Sequence, residues 1–242
     1  ERAMNNGATP LFIACQNGHV DVARLLLEKG AEIDKANIIG ATPLYIACQN
    51  GHVDVLRLLL EKGADVDKAR DNGATPLYVA CHEGFDVVVR LLLEKGADVD
   101  KAMDNNATPL YIACQNGFVD VARLLSEKGA DVDKAANNGF TPLYGACQNG
   151  HIDVARLLLA KGAVVDKAII DGTTPLFIAC QNGHVDVAKL LLKKEADIDK
   201  AMNNGATPLY IACHQGHVDV ARLLLEKGAD IDKAKDNDAT PL

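Results

Sequence analysis

Residues 42–52 read TPLYIACQNGH, and this stretch recurs along the chain. The same string, with Phe in place of Tyr, stands at residues 9–19 and again at residues 174–184. Thr42 predicts a helix N-cap through its hydroxyl, and Pro43 suits the first helical turn, where its missing N–H costs nothing. The stretch therefore predicts a short helix that the chain uses many times.

The repeat has a period of 33 residues over nearly the whole chain. Its Thr-Pro pairs start at Thr9, Thr42, Thr75, Thr108, Thr141, Thr174, Thr207 and Thr240. The seven cysteines keep the same step, each lying six residues after a repeat threonine. A fixed period of this length is typical of stacked supersecondary units. The chain therefore contains seven full repeats, numbered here one to seven by their threonines, and the beginning of an eighth.

Each repeat also predicts a second helix and a loop. In repeat two, Gly51 ends the first helix, Asp54 begins the second, and Gly63 closes it. Its predicted apolar face consists of Val55, Leu58 and Leu59, flanked by Leu56 and Leu60. The segment that follows has an Asn-Gly turn and predicts a hairpin-like loop. Because the first helices bury small residues and the second bury leucines, we expect a curved stack, with the first helices and the loop tips on its concave face.

Composition excludes several classes of protein. The 242 residues are 48% hydrophobic and 24% charged, as in a folded protein, and no apolar run is long enough to span a bilayer. The net charge of −8 and the interleaved cations argue against a nucleic-acid partner. An odd number of cysteines, spaced too widely to pair, predicts reduced thiols and an intracellular, cytoplasmic location. The chain lacks an initiator Met and stops in mid-pattern, so we expect a single domain, residues 1–242, cut from a longer protein.

Cys48 and His52 are the first candidates for chemistry. They lie four residues apart, a spacing that suits a metal pair or a nucleophile with its base. Their repetition favours a structural interpretation instead, since Phe85 and Phe118 replace the histidine in repeats three and four. The group of Cys213, His214 and His217 lacks a full set of four metal ligands. The sequence predicts no catalytic residues, no metal and no cofactor, and hence no enzyme.

The repeat pattern G-x-TPL-(Y/F)-x-AC-xx-GH-x-DVxRLLLEKGADVDKA resembles the ankyrin repeat and covers essentially the whole chain. The resemblance implies an all-α solenoid of helix-turn-helix units with hairpin-like loops. It also implies protein binding through the loop tips and the exposed ends of the first helices. Two features depart from the family motif, because Phe or Tyr replaces its TPLH histidine and Cys replaces the second residue of its Ala-Ala pair.

Deviations between repeats at those positions are the candidate contact residues. They are Ile38 and Ile39 in repeat two, His82 and Glu83 in repeat three, Phe140 in repeat five, Ile170 and Thr173 in repeat six, and His214 and Gln215 in repeat seven. Large apolar side chains on exposed tips are typical of interaction surfaces. Phe140 has two interpretations, a partner contact or a ring that fills the space left by Gly145. The middle of the array is predicted to be its weakest part.

The predicted function is non-catalytic protein binding by a rigid concave face, which loses little entropy on docking. The predicted partner is a protein, with no nucleic acid and no membrane insertion, and the chain is predicted to be a monomer. Two alternatives stay open at this point. The array could recruit substrate for a larger enzyme or a regulated complex, or it could be a consensus-like engineered scaffold.

Overall fold

The computed structural model of the chain describes residues 6–233. These residues form 14 α-helices and a short 3-10 turn, and contain no β-strand. They fall into two compact units. The first unit runs to Leu110 and includes Glu127–Ala130, and the second contains Tyr111–Ser126 and the residues from Asp131 onwards. Thr240, the predicted start of an eighth repeat, lies outside the described residues.

Each of the seven repeats contributes two helices, as predicted. In chain order they are α1 (Pro10–Gln16) and α2 (Val20–Glu28), α3 (Pro43–Gln49) and α4 (Val53–Glu61), α5 (Pro76–Glu83) and α6 (Asp86–Glu94), α7 (Pro109–Gln115) and α8 (Val119–Glu127), α9 (Pro142–Gln148) and α10 (Ile152–Ala160), α11 (Pro175–Gln181) and α12 (Val185–Lys193), and α13 (Pro208–Gln215) and α14 (Val218–Glu226). The 3-10 turn is Asn137–Gly139, in the loop before α9.

The repeat threonine caps the first helix, as predicted. In repeat two, the hydroxyl oxygen of Thr42 accepts a hydrogen bond from the backbone N–H of Tyr45 at 3.1 Å. The same bond is made by Thr9, Thr75, Thr141, Thr174 and Thr207. Thr42 itself is fully buried, so the bond satisfies a helix N–H that water cannot reach. The cap therefore forms without the TPLH histidine of the ankyrin motif, which this chain replaces by Phe or Tyr.

The second helix begins one residue earlier than predicted in most repeats. In repeat two it starts at Val53, not at Asp54, and His52 precedes it without a side-chain capping bond. Asp54 lies in the first turn, where its carboxylate interacts favourably with the positive end of the helix dipole. The buried face is also broader than predicted, because Leu56 is fully buried beside Val55.

Packing within each unit joins helices of the same kind from adjacent repeats. In the first unit α1, α3 and α5 pack in a row, as do α2, α4 and α6. In the second unit the rows are α9, α11 and α13, and α10, α12 and α14. Leucines fill the space between helices in both units, and Leu44 and Leu59 are fully buried. No helix among residues 6–233 combines the length and the apolar character that crossing a bilayer would require.

The loops end in tight turns that lie side by side. We define the tip of a repeat as the four residues before its threonine. In repeat two, the N–H of Asn37 donates to the carbonyl of Ala41 at 2.9 Å and closes the turn. The N–H of Asp71, in the next tip, donates to the carbonyl of Ile39 at 3.3 Å. These bonds give the predicted hairpin-like loops and align consecutive tips along one edge of a unit.

Six of the seven cysteines belong to the core, as predicted for small residues of the first helices. Those of repeats one to six are buried, and Cys213 of repeat seven is partly exposed. Burial raises the pKa of the Cys15 thiol to about 12 and raises the pKa of the Cys48 thiol further. Since only the thiolate is a good nucleophile, these side chains are unsuited to catalysis at neutral pH.

Candidate functional site

The Cys48 and His52 pair does not form a reactive site. Cys48 is fully buried, whereas the Nε2–H of His52 donates to the backbone carbonyl of Gln16, in the preceding repeat, at 3.0 Å. His151, His184 and His217 make the equivalent bond to the preceding repeat. In repeat three the ring of Phe85 packs over Gly51, as the ring of His52 packs over Gly18. The histidine therefore joins neighbouring repeats, and phenylalanine can replace it by packing.

The Cys213, His214 and His217 group is also dispersed. His217 donates from Nε2 to the carbonyl of Gln181 at 2.9 Å, and His214 stacks on Tyr210 with ring centroids 6.3 Å apart. Within residues 6–233, no three His, Cys, Asp or Glu side chains are arranged to hold a metal ion.

Aspartates in the loops form a second link between repeats. The N–H of Asp98 donates to the carboxylate of Asp67 at 3.2 Å, and Lys101 donates from Nζ to the carbonyl of Asp67 at 3.1 Å. In the second unit, the N–H of Val164 donates to the carboxylate of Asp133 at 3.2 Å. Local turn rules place these aspartates in the loops but indicate no partner for them. Their recurrence in every loop is the signal that would have identified the link.

The tips of repeats five and six bring two candidate residues to one edge of the second unit. The N–H of Ile170 donates to the carbonyl of Asn138 at 3.1 Å, so the two tips are in direct contact. The Phe140 ring is half-buried and packs on Tyr144, with ring centroids 5.2 Å apart and planes tilted by 55°. The Ile170 side chain is 73% exposed. An aromatic and an aliphatic side chain therefore stand together at this edge.

The atoms nearest to the space left by Gly145 come from the preceding repeat and not from Phe140. A Cβ at this position would meet Cβ of Gln115 at 3.4 Å and Cε2 of Tyr111 at 3.5 Å. These neighbours belong to the preceding repeat, whereas Phe140 packs on Tyr144, one residue before the glycine.

Thr173 is at the same edge but is not available to a partner. It is 4% exposed, and its hydroxyl donates to Oδ1 of Asp171 at 2.6 Å. Its backbone N–H donates to the same oxygen at 2.9 Å. Thr173 therefore orients the exposed Asp171 carboxylate.

The electrostatics of this edge are set by Asp171. Burial raises the pKa of the Tyr144 hydroxyl to about 12, and the charges of Asp171 and of Tyr111 contribute smaller increases. Asp171 forms no ion pair within residues 6–233. The edge thus combines apolar surface with a negative charge that the described part of the chain does not neutralise.

The tip of repeat two is the apolar edge of the first unit. Ile38 is 67% exposed, and Ile39 is also exposed. Next to this tip, Arg70 lies over the ring of Tyr45, with its guanidinium carbon 5.3 Å from the ring centroid, and donates from Nη1 to the Tyr45 hydroxyl at 3.2 Å. Sequence reasoning missed Arg70 because it stands one residue before the tip of repeat three.

The candidate residues at the ends of the first helices are exposed. His82 Nδ1 lies 2.9 Å from a carboxylate oxygen of Glu83, its neighbour in sequence. His214 and Gln215 occupy the equivalent positions in repeat seven, at the end of α13. The structure brings Phe140 and Ile170 together in the second unit, and Ile38 and Ile39 together in the first.

Comparisons with family models and with solved structures both give ankyrin repeats. A family model described as ankyrin repeats (3 copies) matches residues 33–103, 64–136, 100–169 and 164–235, and a model of the single ankyrin repeat matches residues 6–38. The crystal structure of the human ASB11 ankyrin repeat domain is similar, with a TM-score of 0.83 and 30% sequence identity. The match covers 92% of this chain and 99% of that chain. The comparison with curated protein sequences gives no match.

Proposed function

Because this chain belongs to the ankyrin repeat family, whose repeats are generally protein-protein interaction modules, we propose that it binds a protein partner without catalysis. The contact surface is the row of loop tips on the concave side that the sequence predicts. The observation that carries this proposal is the exposure of Ile38, Ile39 and Ile170 at tips where other repeats carry Asn or Asp. Exposed apolar side chains beside polar ones are typical of sites that become buried on association.

The tips are suited to this role because their backbones are fixed. The turns of repeats two to seven are each closed by a backbone hydrogen bond, and consecutive tips within a unit are linked, as Ile170 is to Asn138. A preformed surface loses little conformational entropy on docking. Side chains can therefore vary at the tips while the scaffold stays the same. The monomeric state and the cytoplasmic location stay predictions from the sequence.

Affinity capture with matched variants tests the proposal. The chain is used as bait in an extract of the cells that express it, together with Ile38→Asp, Ile170→Asp and a control, Val87→Asp. Val87 is as exposed as Ile39, but it lies on the second helix α6. All three variants remove exposed aliphatic surface and add one charge.

We expect partners captured by the unmodified bait to be lost with at least one tip variant and retained with Val87→Asp. Loss with Val87→Asp alone would place the contact surface on the second helices and contradict the proposal. Each bait is first checked by circular dichroism, so that loss of binding is not confused with loss of fold.

A further inference from the structure

Two tyrosines at the same repeat position have different neighbours. Tyr45 in repeat two lies under the guanidinium of Arg70, which comes from the loop of repeat three. Tyr144 is the equivalent residue of repeat five, and the equivalent of Arg70 in the next loop is Ile169. The loop next to Tyr144 therefore supplies no arginine, and the Phe140 ring packs on this tyrosine instead.

That loop supplies an anion. Asp171 stands where repeat three has Asn72. Both intramolecular hydrogen bonds to its carboxylate, from the N–H and the hydroxyl of Thr173, go to Oδ1. Within the described residues, Oδ2 accepts no hydrogen bond. Relative to the Tyr45 position, the Tyr144 position has lost a cation and gained a second aromatic ring. Its carboxylate stands in the place of Asn72, because Ile170 replaces Asp71 and Asp171 replaces Asn72.

We propose that Phe140, Ile170 and Asp171 form an arginine site, which binds an arginine of the partner protein together with an apolar residue beside it. The inference rests on the proposed function, since it names the chemistry that the tips of repeats five and six recognise. The guanidinium donates to Oδ2 of Asp171 and lies against Phe140, and the adjacent apolar side chain of the partner covers Ile170.

Arginine fits this site better than lysine. Its planar guanidinium can donate to a carboxylate and stack on an aromatic ring at the same time, whereas an ammonium is a compact and more strongly hydrated charge. The position of Arg70 on Tyr45 shows that a guanidinium and an aromatic ring can meet at this edge of the fold. The net charge of −8 also favours a basic partner segment.

A library of random peptides displayed on phage provides the probe, since it needs no knowledge of the natural partner. It is selected on the whole chain, and one enriched peptide is then measured against variants by isothermal titration calorimetry. The first variant is Asp171→Asn. It keeps the fold because Asn72, Asn105 and Asn204, at the equivalent positions, accept the same backbone hydrogen bond. The control is Asp186→Asn, an exposed carboxylate in the first turn of α12.

We expect the enriched peptides to carry an arginine next to an apolar residue. For a peptide of this kind, Asp171→Asn should raise Kd about tenfold, as loss of a hydrogen bond to a charged group does. Asp186→Asn should change Kd less than about twofold, because its charge is screened at a distance. Ile169→Arg should also weaken binding, because the loop then supplies its own guanidinium, as Arg70 does.

Three results would overturn the inference. Enriched peptides that lack arginine and depend on Ile170 would refute the arginine site and leave the proposed function standing. Equal losses with Asp171→Asn and Asp186→Asn would show that only net charge matters. A library from which the chain enriches nothing would count against both the arginine site and binding by the tips.

Discussion

The loop edges of the two units differ although their backbones follow the same plan. In the first unit, Tyr45 is covered by Arg70 of the same chain, and the apolar surface consists of Ile38 and Ile39. In the second unit, Tyr144 is covered by Phe140, and Asp171 has no ion pair among the described residues. Repeat proteins can thus change the chemistry of a surface by single substitutions, because the turn of each loop is closed by backbone hydrogen bonds.

The difference extends into the first helix behind each tyrosine. Ile46 follows Tyr45 and is buried, whereas Gly145 follows Tyr144 and leaves space beside Gln115 and Tyr111. The aromatic residue of repeat two therefore has firmer support than that of repeat five. The predictions below test this contrast.

Truncation of Ile46 should have the largest effect. Ile46→Ala removes a buried side chain, and we expect the free energy of unfolding to fall by about 2–4 kcal/mol, as for other large-to-small core substitutions. Urea denaturation measures the loss. Ile13→Ala is the matched control, because Ile13 holds the same position in repeat one but is 43% exposed. Equal losses at the two positions would show that the greater burial of Ile46 does not add to the stability.

Removal of the Phe140 ring should have the next largest effect. Phe140→Ala loses a half-buried ring and its contact with Tyr144, and we expect a loss of stability of about 1–2 kcal/mol. Burial is the main cause of the raised Tyr144 pKa, so exposure to water should lower this pKa from about 12 towards its usual value. Absorbance of tyrosinate between pH 9 and about 12 reports the change, with Tyr144→Phe as the reference that identifies the signal.

An unchanged pKa in Phe140→Ala would mean that the ring does not shield Tyr144. In the folded protein, a raised pKa favours the protonated hydroxyl. The contribution of the Tyr144 hydroxyl to the stability of the folded protein is therefore fully present below the pKa that it has in the unfolded chain. This contribution is lost as the pH rises towards about 12. Phe140→Ala should thus also make the stability less dependent on pH in this alkaline range.

The helices, their caps and the buried leucines could be predicted from the sequence because they recur in every repeat. Phe140 and Ile170 were found as exceptions to the same pattern. Arg70 and the orienting role of Thr173 could not be found in this way, since each depends on a contact through space. Arg70 reaches back to the preceding repeat, and Thr173 is hidden by its bonds to Asp171 although its position suggested exposure.

The start of the second helix and the loop aspartates show a second limit. Sequence signals placed the helix start at Asp54, but a carboxylate stabilises a helix from any position in the first turn. The link between Asp67 and Asp98 joins residues 31 positions apart, which local turn rules do not consider. Both points involve a polar group, and neither moves a helix boundary by more than one residue.

A methyl group at residue 145 should stabilise the second unit. In Gly145→Ala the new Cβ would meet its nearest neighbours at 3.4 and 3.5 Å, which are ordinary contacts. Alanine is also the better helix former, so we expect a gain of about 1 kcal/mol and slower hydrogen exchange in α9. Gly162→Ala is the contrasting control, because its φ of +92° should make alanine unfavourable although the surrounding space is open. A loss of stability in Gly145→Ala would show that repeat five depends on the missing side chain.

Replacement of Arg70 should have the smallest effect on stability. Arg70→Met removes the guanidinium from Tyr45 and its hydrogen bond to the hydroxyl, contacts that contribute about 0.5–1 kcal/mol each at partly exposed sites. Against this, Nε of Arg70 is buried and has no hydrogen-bond partner among the described residues, so its removal relieves a cost. The chain already accepts methionine at this repeat position, at Met103 and Met202. We therefore expect a net change below about 1 kcal/mol in urea denaturation, close to that of Arg57→Met on the exposed face of α4. A loss above about 2 kcal/mol would show that Arg70 contributes to the core of the first unit. Tyr45 would then depend on a charged neighbour, whereas Tyr144 in the second unit packs against the uncharged Phe140.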